Sequence, residues 1–453
     1  MKLFLFLDDW FLDSRIDIVR RFGTPIPVPI PDACALARSY VVYDEGKGDF
    51  RALVNAEKKG LLYASADGIE WEKTGRAVEF PLVDAAGKED PTAKGFPGQS
   101  WFYDKWDEDP GRRYKMIVWP NPTGGPGIIT CSPDGVEWER TREYTWYDYP
   151  RASDTDNNIF YNPFTRRWCV ICRKSHLDRR ASMVESTDLE DWTEPRVIVH
   201  PDALDDPLLQ FYGMVATLYE DEYFIGALQC FRVPSQEVNP EYAGRVKMEG
   251  TVDVQLVYSY DGQSWLRSDR STMIARTEPG SYGCSCVYPR SIVQGPDGKV
   301  HVYSLGALQD HSVDAVAPEG YESGEALLLH TFRKDGFAYL EPTGGWGHFI
   351  TRTLVPDSGR LTVNYQAPLG QVLVQVSGSD GKPVPGYGFG DCVALRGDEV
   401  YGPVHWKEHE DLSALIGKPV RLEFRLFDAR VYAIRVECAL KYHYYPEQVT
   451  ERV

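Results

Sequence analysis

A short pattern, Ser-x-Asp-Gly-x-x-Trp, recurs along this chain at Ser65–Trp71, Ser132–Trp138 and Ser259–Trp265, with Leu189 replacing the glycine in the copy Ser186–Trp192. A degenerate fifth copy, Arg333-Lys334-Asp335-Gly336-Phe337, follows. The copies therefore start at positions 65, 132, 186, 259 and 333. Asp and Ser side chains accept hydrogen bonds from backbone amides just downstream, and Gly supplies a positive φ, so each copy closes a tight turn. One such turn and one aromatic per repeat predict a β-propeller with the tryptophans packed between neighbouring sheets. The turn aspartates are scaffolding on this reading, and chemistry is sought on the propeller axis.

The rest of each repeat reads as short strands of β-branched and aromatic residues bounded by Gly, Pro, Asn and Asp. In the first repeat these are 38–45, 50–56 and 60–65. The expected fold class is all-β: a five-bladed β-propeller over 31–342 followed by a C-terminal β-sandwich over 348–443. The break falls at Gly344-Gly345-Trp346-Gly347, after which alternation continues without the repeat. Residues 1–30 form an arm that supplies a ring-closing strand or crosses one propeller face.

Composition narrows the partners. A net charge of −18 over 453 residues argues against nucleic acid or an anionic membrane, since both need a basic footprint. Nine scattered cysteines suit buried free thiols in a reducing compartment. Cys169-Val170-Ile171-Cys172 on a strand would point its two thiols to opposite faces, so it predicts no zinc or redox site. The apolar run before Asp8-Asp9 is too short for a secretory leader, and a cytoplasmic location is expected. The histidines form no ligand motif, so no metal or cofactor is predicted, although a Ca²⁺ ion on the axis is compatible with the sequence.

In a propeller the first residues of each innermost strand face a shared funnel. The richest such segment is Ser153-Asp154-Thr155-Asp156-Asn157-Asn158. Two carboxylates two positions apart on a strand point the same way, and close like charges raise one pKa, which suits acid–base work. For either aspartate alone, an Asx-turn is the competing reading. Asp32, Asp206, Gln210 and Tyr212 stand at other strand openings, and Arg290 is the cation best placed to hold an anionic group. Trp101 could stack on a sugar face or belong to the core. Asp9 reads as a funnel acid or a turn residue. Glu249 or Asp253, in or just after the long excursion 232–251, is a further candidate acid, and the excursion is long enough to lid the funnel.

The repeated strand–strand–Ser-x-Asp-x-x-x-Trp unit followed by a sandwich resembles glycoside hydrolase family 32 and its relatives in families 43 and 68. Thr155-Asp156-Asn157-Asn158-Ile159-Phe160, followed by Arg167-Trp168, is similar to the family's R-D-P-x-V-F segment, which implies a transition-state-stabilising role for Asp156. The stretches Leu5–Leu12, Val252–Leu256 and Gly417–Leu422 look more specifically like a family-32-like bacterial group. The family's W-x-N-D-P-N nucleophile motif is absent, and Asp32 occupies the comparable position. The acid/base Glu of its E-C-P segment is also absent, since that place reads Gln210-Phe211-Tyr212, with Asp206 upstream. The resemblance implies a glycoside hydrolase acting on a terminal or short-chain carbohydrate, furanosides included. The alternative is a carbohydrate-binding propeller that has lost its acid.

Overall fold

The repeated turns close as their side chains require. In the computed structural model, Ser65 Oγ accepts from the Gly68 amide at 2.8 Å, and Asp67 Oδ1 accepts from the amides of Ile69 and Glu70 at 2.8 and 2.9 Å. Leu189 adopts φ 69° where the other copies use glycine. Burial opposes ionisation of Asp67, Asp134 and Asp261, yet the backbone donors outweigh it and hold these carboxyls below their usual range. At Asp188 the donors dominate outright. The structure describes residues 1–56, 59–84, 86–92, 96–120, 127–139, 155–173, 179–233, 250–311 and 317–441, together with the backbone of 144–147.

The chain divides into two compact units, 25–331 and 1–24 with 332–453. The first of these contains three four-stranded antiparallel sheets and one eight-stranded sheet, whose two four-stranded halves stand as the fourth and fifth sheets of the unit. Their innermost strands are Ser39–Asp44, Gly98–Tyr103, Asn158–Asn162, Leu209–Tyr219 and Cys286–Gln294. Each of these touches the next in order, and the fifth touches the first, so they close a propeller ring. The fourth and fifth sheets share one parallel pair, Val252 with Cys286. Ile26–Val28 forms the outermost strand of the fifth sheet by pairing with Leu329–Thr331, so chain from before the first sheet completes the last.

Apolar clusters fill the wedges between sheets. Trp71, Trp138, Trp192 and Trp265 each join a different cluster drawn from two adjacent sheets. Cys169 belongs to one inter-sheet cluster and Cys172 to the next, the opposite-face placement that a strand imposes.

The second unit is a nine-stranded β-structure. Its longest strand, Leu354–Gly378, pairs along its second half with Val420–Phe427 in opposing directions, from Gln371 opposite Phe427 to Gly378 opposite Val420, and runs antiparallel to Arg430–Leu440 along its first. Phe349 stacks on Phe424 at 4.6 Å in its core. The expected arm 1–30 is divided between the units, because Lys2–Leu5, Leu12–Ile16 and Ile18–Phe22 pair within this sheet whereas Ile26–Val28 does not. The degenerate fifth copy also lies in this unit. A turn closes here too, the Gly336 amide donating to the Arg333 carbonyl at 2.8 Å, but Asp335 is fully buried with both oxygens held by Arg435 at 2.7 Å, so its carboxylate anchors an ion pair. Among the described residues, no helix is long and apolar enough to cross a membrane.

Candidate functional site

Three innermost strands carry a β-bulge at the same stage of their course. Register shifts leave Ser100, Tyr212 and Arg290 without a cross-strand partner. A bulge bends the strand and re-aims the unpaired residue. Ser100 is driven to φ 39° by this geometry.

These re-aimed residues meet around Asp156, two positions before the third innermost strand. Tyr40 Oη donates to Asp156 Oδ1 at 2.8 Å, and Arg290 Nε lies 3.4 Å from Asp156 Oδ2. The Arg290 guanidinium also sits 5.1 Å over the Tyr40 ring. Thr155 Oγ1 donates to the Tyr212 carbonyl at 3.1 Å, tying the third sheet to the fourth. The second sheet contributes through Ser100, whose backbone faces the Tyr40 hydroxyl and whose Oγ accepts from the Ile159 amide at 3.1 Å. All five sheets thus contribute to one polar cluster.

Burial, and then the adjacent Asp156 charge, push the Tyr40 hydroxyl far above its ordinary value, so it remains a proton donor. Burial works to strip Arg290 of its proton, but Asp156 and Tyr40 more than offset this and the guanidinium stays charged. An aromatic wall adjoins the cluster. The Tyr212 ring lies 5.5 Å from Tyr288 and 4.6 Å from His311, and the Tyr288 hydroxyl is 3.0 Å from His311 Nδ1. Burial and the Cys286 thiol raise the Tyr288 hydroxyl strongly, with Tyr212 and Asp156 adding to the effect. Arg173 places its guanidinium 4.7 Å from the Tyr212 ring.

A cavity of about 380 Å³ is bounded by innermost-strand residues, Asn158 and Arg290 among them. Lys105 lines it too, with its ammonium 3.4 Å from Glu45 and 3.1 Å from Asp221. Among the described residues, no three His, Cys, Asp or Glu side chains gather as a metal-binding group.

The structure brings together Asp156, Tyr212 and Arg290 from the residues singled out in the sequence. Asn158 lines the cavity while its Oδ1 accepts from the Ala216 amide at 3.0 Å. Gln210 is buried, and its Oε1 accepts from the Arg179 backbone and guanidinium, both at 3.3 Å. Asp253 is committed to Arg232 through both oxygens.

Other candidates have structural work. Asp32 is an exposed turn residue at φ 51°, because the turns run to residue 38 and the first innermost strand opens only at Ser39. Asp206 is exposed, and its Oδ1 accepts from the Leu208 amide at 2.8 Å, an Asx-turn. Trp101 stacks on Tyr114 at 5.5 Å within the core between the first two sheets, and it also lines the 380 Å³ cavity. Asp9 lies in the other unit, where Arg15 and Arg20 pair with it. Asp154 and Glu249 fall outside the described residues.

Sequence reasoning missed Tyr40, Arg173 and His311. Tyr40 occupies an ordinary alternating strand position. The only sequence signal was its place as the second residue of an innermost strand.

No family model matches the chain, and no curated protein matches it. Among solved structures it is similar to an N-acetylgalactosamine deacetylase from F. plautii in complex with blood group B trisaccharide, at 14% identity over 70% of this chain and 95% of that one, with TM-score 0.45. It is similar to a thermostable family-43 glycoside hydrolase at 12% identity, over 70% of this chain and 95% of that one, with TM-score 0.45. A fructofuranosidase variant from Schwanniomyces occidentalis complexed with fructosylnystose covers 91% of this chain and 97% of its own, at 10% identity and TM-score 0.42.

Proposed function

We propose that the propeller funnel binds a small carbohydrate and hydrolyses its glycosidic bond, with Asp156 as the charge that stabilises the reacting sugar. The Asp156–Tyr40–Arg290 cluster at the convergence of five strands carries this reading. A carboxylate that accepts from a phenol and faces a guanidinium serves as an acceptor and a negative charge. That suits it to sugar hydroxyls and to an oxocarbenium-like transition state. Tyr212 and Tyr288 supply rings with polar edges for the sugar. Hydrolysis also needs a proton donor, and Asp154, two positions before Asp156, is the proposed partner.

One observation favours a second reading, sugar binding without turnover. Gln210, where the resembling family carries its acid, is buried and spent on Arg179. The two readings separate on a panel of aryl furanosides and fructo-, arabino- and galacto-oligosaccharides. Turnover by the wild type that is lost in Asp156→Asn and Asp154→Asn, with binding retained, supports the hydrolase. Binding without turnover selects the second reading, and neither binding nor turnover sinks both.

A further inference from the structure

The Gly344-Gly345-Trp346-Gly347 stretch plays no part in the funnel chemistry. It opens a strand of the second unit and places Trp346 on the surface at 45% exposure. Phe427, 42% exposed, stands beside it with ring centroids 5.4 Å apart. Contiguous exposed apolar groups beside a cleft are a feature of ligand-binding grooves. Such a cleft is present: a cavity of about 530 Å³ is lined by Phe427, Gln366, Asp398, Glu341 and Arg430. Gly344 and Gly345 line it as well, and a Cβ at either would meet nothing within 4 Å, so this wall is open.

The polar groups of the cleft are fixed by one another. Tyr432 Oη donates to Gln366 Oε1 at 2.6 Å, and Gln366 Nε2 donates to Asp398 Oδ2 at 2.7 Å. Arg333 pairs with Asp398, while Arg21 and Arg430 lie 3.1 and 3.3 Å from Glu341. The charges are therefore compensated, which disfavours a strongly ionic ligand. Planar hydrogen-bonding groups held rigid beside aromatic faces match a neutral polyhydroxylated ring: apolar C–H faces lie on the aromatics and hydroxyls reach the amide and carboxylate.

We propose that this cleft is a second carbohydrate site, holding a neutral sugar unit of a glycan chain independently of the funnel. The test is affinity electrophoresis of the full chain in gels containing soluble arabinan, inulin or galactan. The wild type and Asp156→Asn should be retarded alike by at least one of these. Trp346→Ala should weaken that retardation about five- to tenfold, with binding of short aryl glycosides in the funnel unchanged. Gln366→Ala should weaken it too, and Phe427→Ser replaces Trp346→Ala if that variant folds poorly. Absence of retardation with all three glycans would overturn the proposal. So would retardation that survives Trp346→Ala, Phe427→Ser and Gln366→Ala alike, which would place the glycan outside this cleft.

Discussion

Asp156 does its work through partners that arrive from other sheets. Tyr40 is its hydrogen-bond donor, and removing the hydroxyl leaves a half-buried carboxylate short of one partner. Hydrogen bonds to charged groups contribute about 1.5–3 kcal/mol. Tyr40→Phe should therefore lower stability by about 2 kcal/mol, read as a shift of the urea midpoint at unchanged slope. Sugar affinity or turnover should fall by more than about tenfold, because the carboxylate is no longer aimed. A variant with wild-type sugar binding and turnover would remove Tyr40 from the site. At this scale the sequence was informative about residue types and poor about partners. Asp156, Tyr212 and Arg290 lie at strand openings that the repeat locates. Tyr40 reaches Asp156 from 116 positions away in the chain and His311 reaches Tyr212 from 99, a proximity that no local pattern encodes.

At the scale of strands, the bulges at Ser100, Tyr212 and Arg290 build the site, and apolar–polar alternation does not reveal them because the inserted residue breaks pairing without breaking composition. The turns were legible for the opposite reason: Ser, Asp and Gly at fixed offsets act within four residues. The strand Ile26–Val28 has its own consequence, because it pairs Pro27 with His330. Burial drives the His330 imidazole down to about 4. The folded chain thus keeps His330 neutral while the unfolded chain takes up a proton below about 6.5. Protonation favours unfolding, so stability is full above pH 6.5 and falls as pH drops toward 4, by about 3 kcal/mol at the lower end. His301, also lowered by burial with Asp297 opposing, acts in the same direction. Urea midpoints between pH 4.5 and 7 should therefore decline less steeply in His330→Leu than in the wild type. Parallel profiles would show that His330 does not contribute.

Over the whole chain, the propeller is an insertion. Ile18–Phe22 pairs antiparallel with Ala338–Pro342, and the Gly23 amide donates to the Phe337 carbonyl at 2.9 Å. The sequence leaves one sheet, builds residues 25–331, and returns to the strand beside the one it left. Repeats and alternation could place the five sheets, but a pairing between strands more than 300 residues apart is written in neither, so the expected boundary at 31 fell inside the unit. The boundary matters physically. A fragment 25–331 keeps Ile26–Val28 against Leu329–Thr331, whereas a fragment 31–331 leaves Glu325–Phe332 as an open edge with unpaired amides and carbonyls. The longer fragment should fold cooperatively and stay monomeric. The shorter one should melt several degrees lower and associate with rising concentration, as followed by thermal denaturation and light scattering. In the complementary deletion, Thr24 joined directly to Phe332, the pairing of Phe22 with Ala338 closes a hairpin, and the second unit should fold by itself. Equal melting of the two propeller fragments would show that the ring closes without the outermost strand Ile26–Val28, and that residues 25–30 contribute nothing to it.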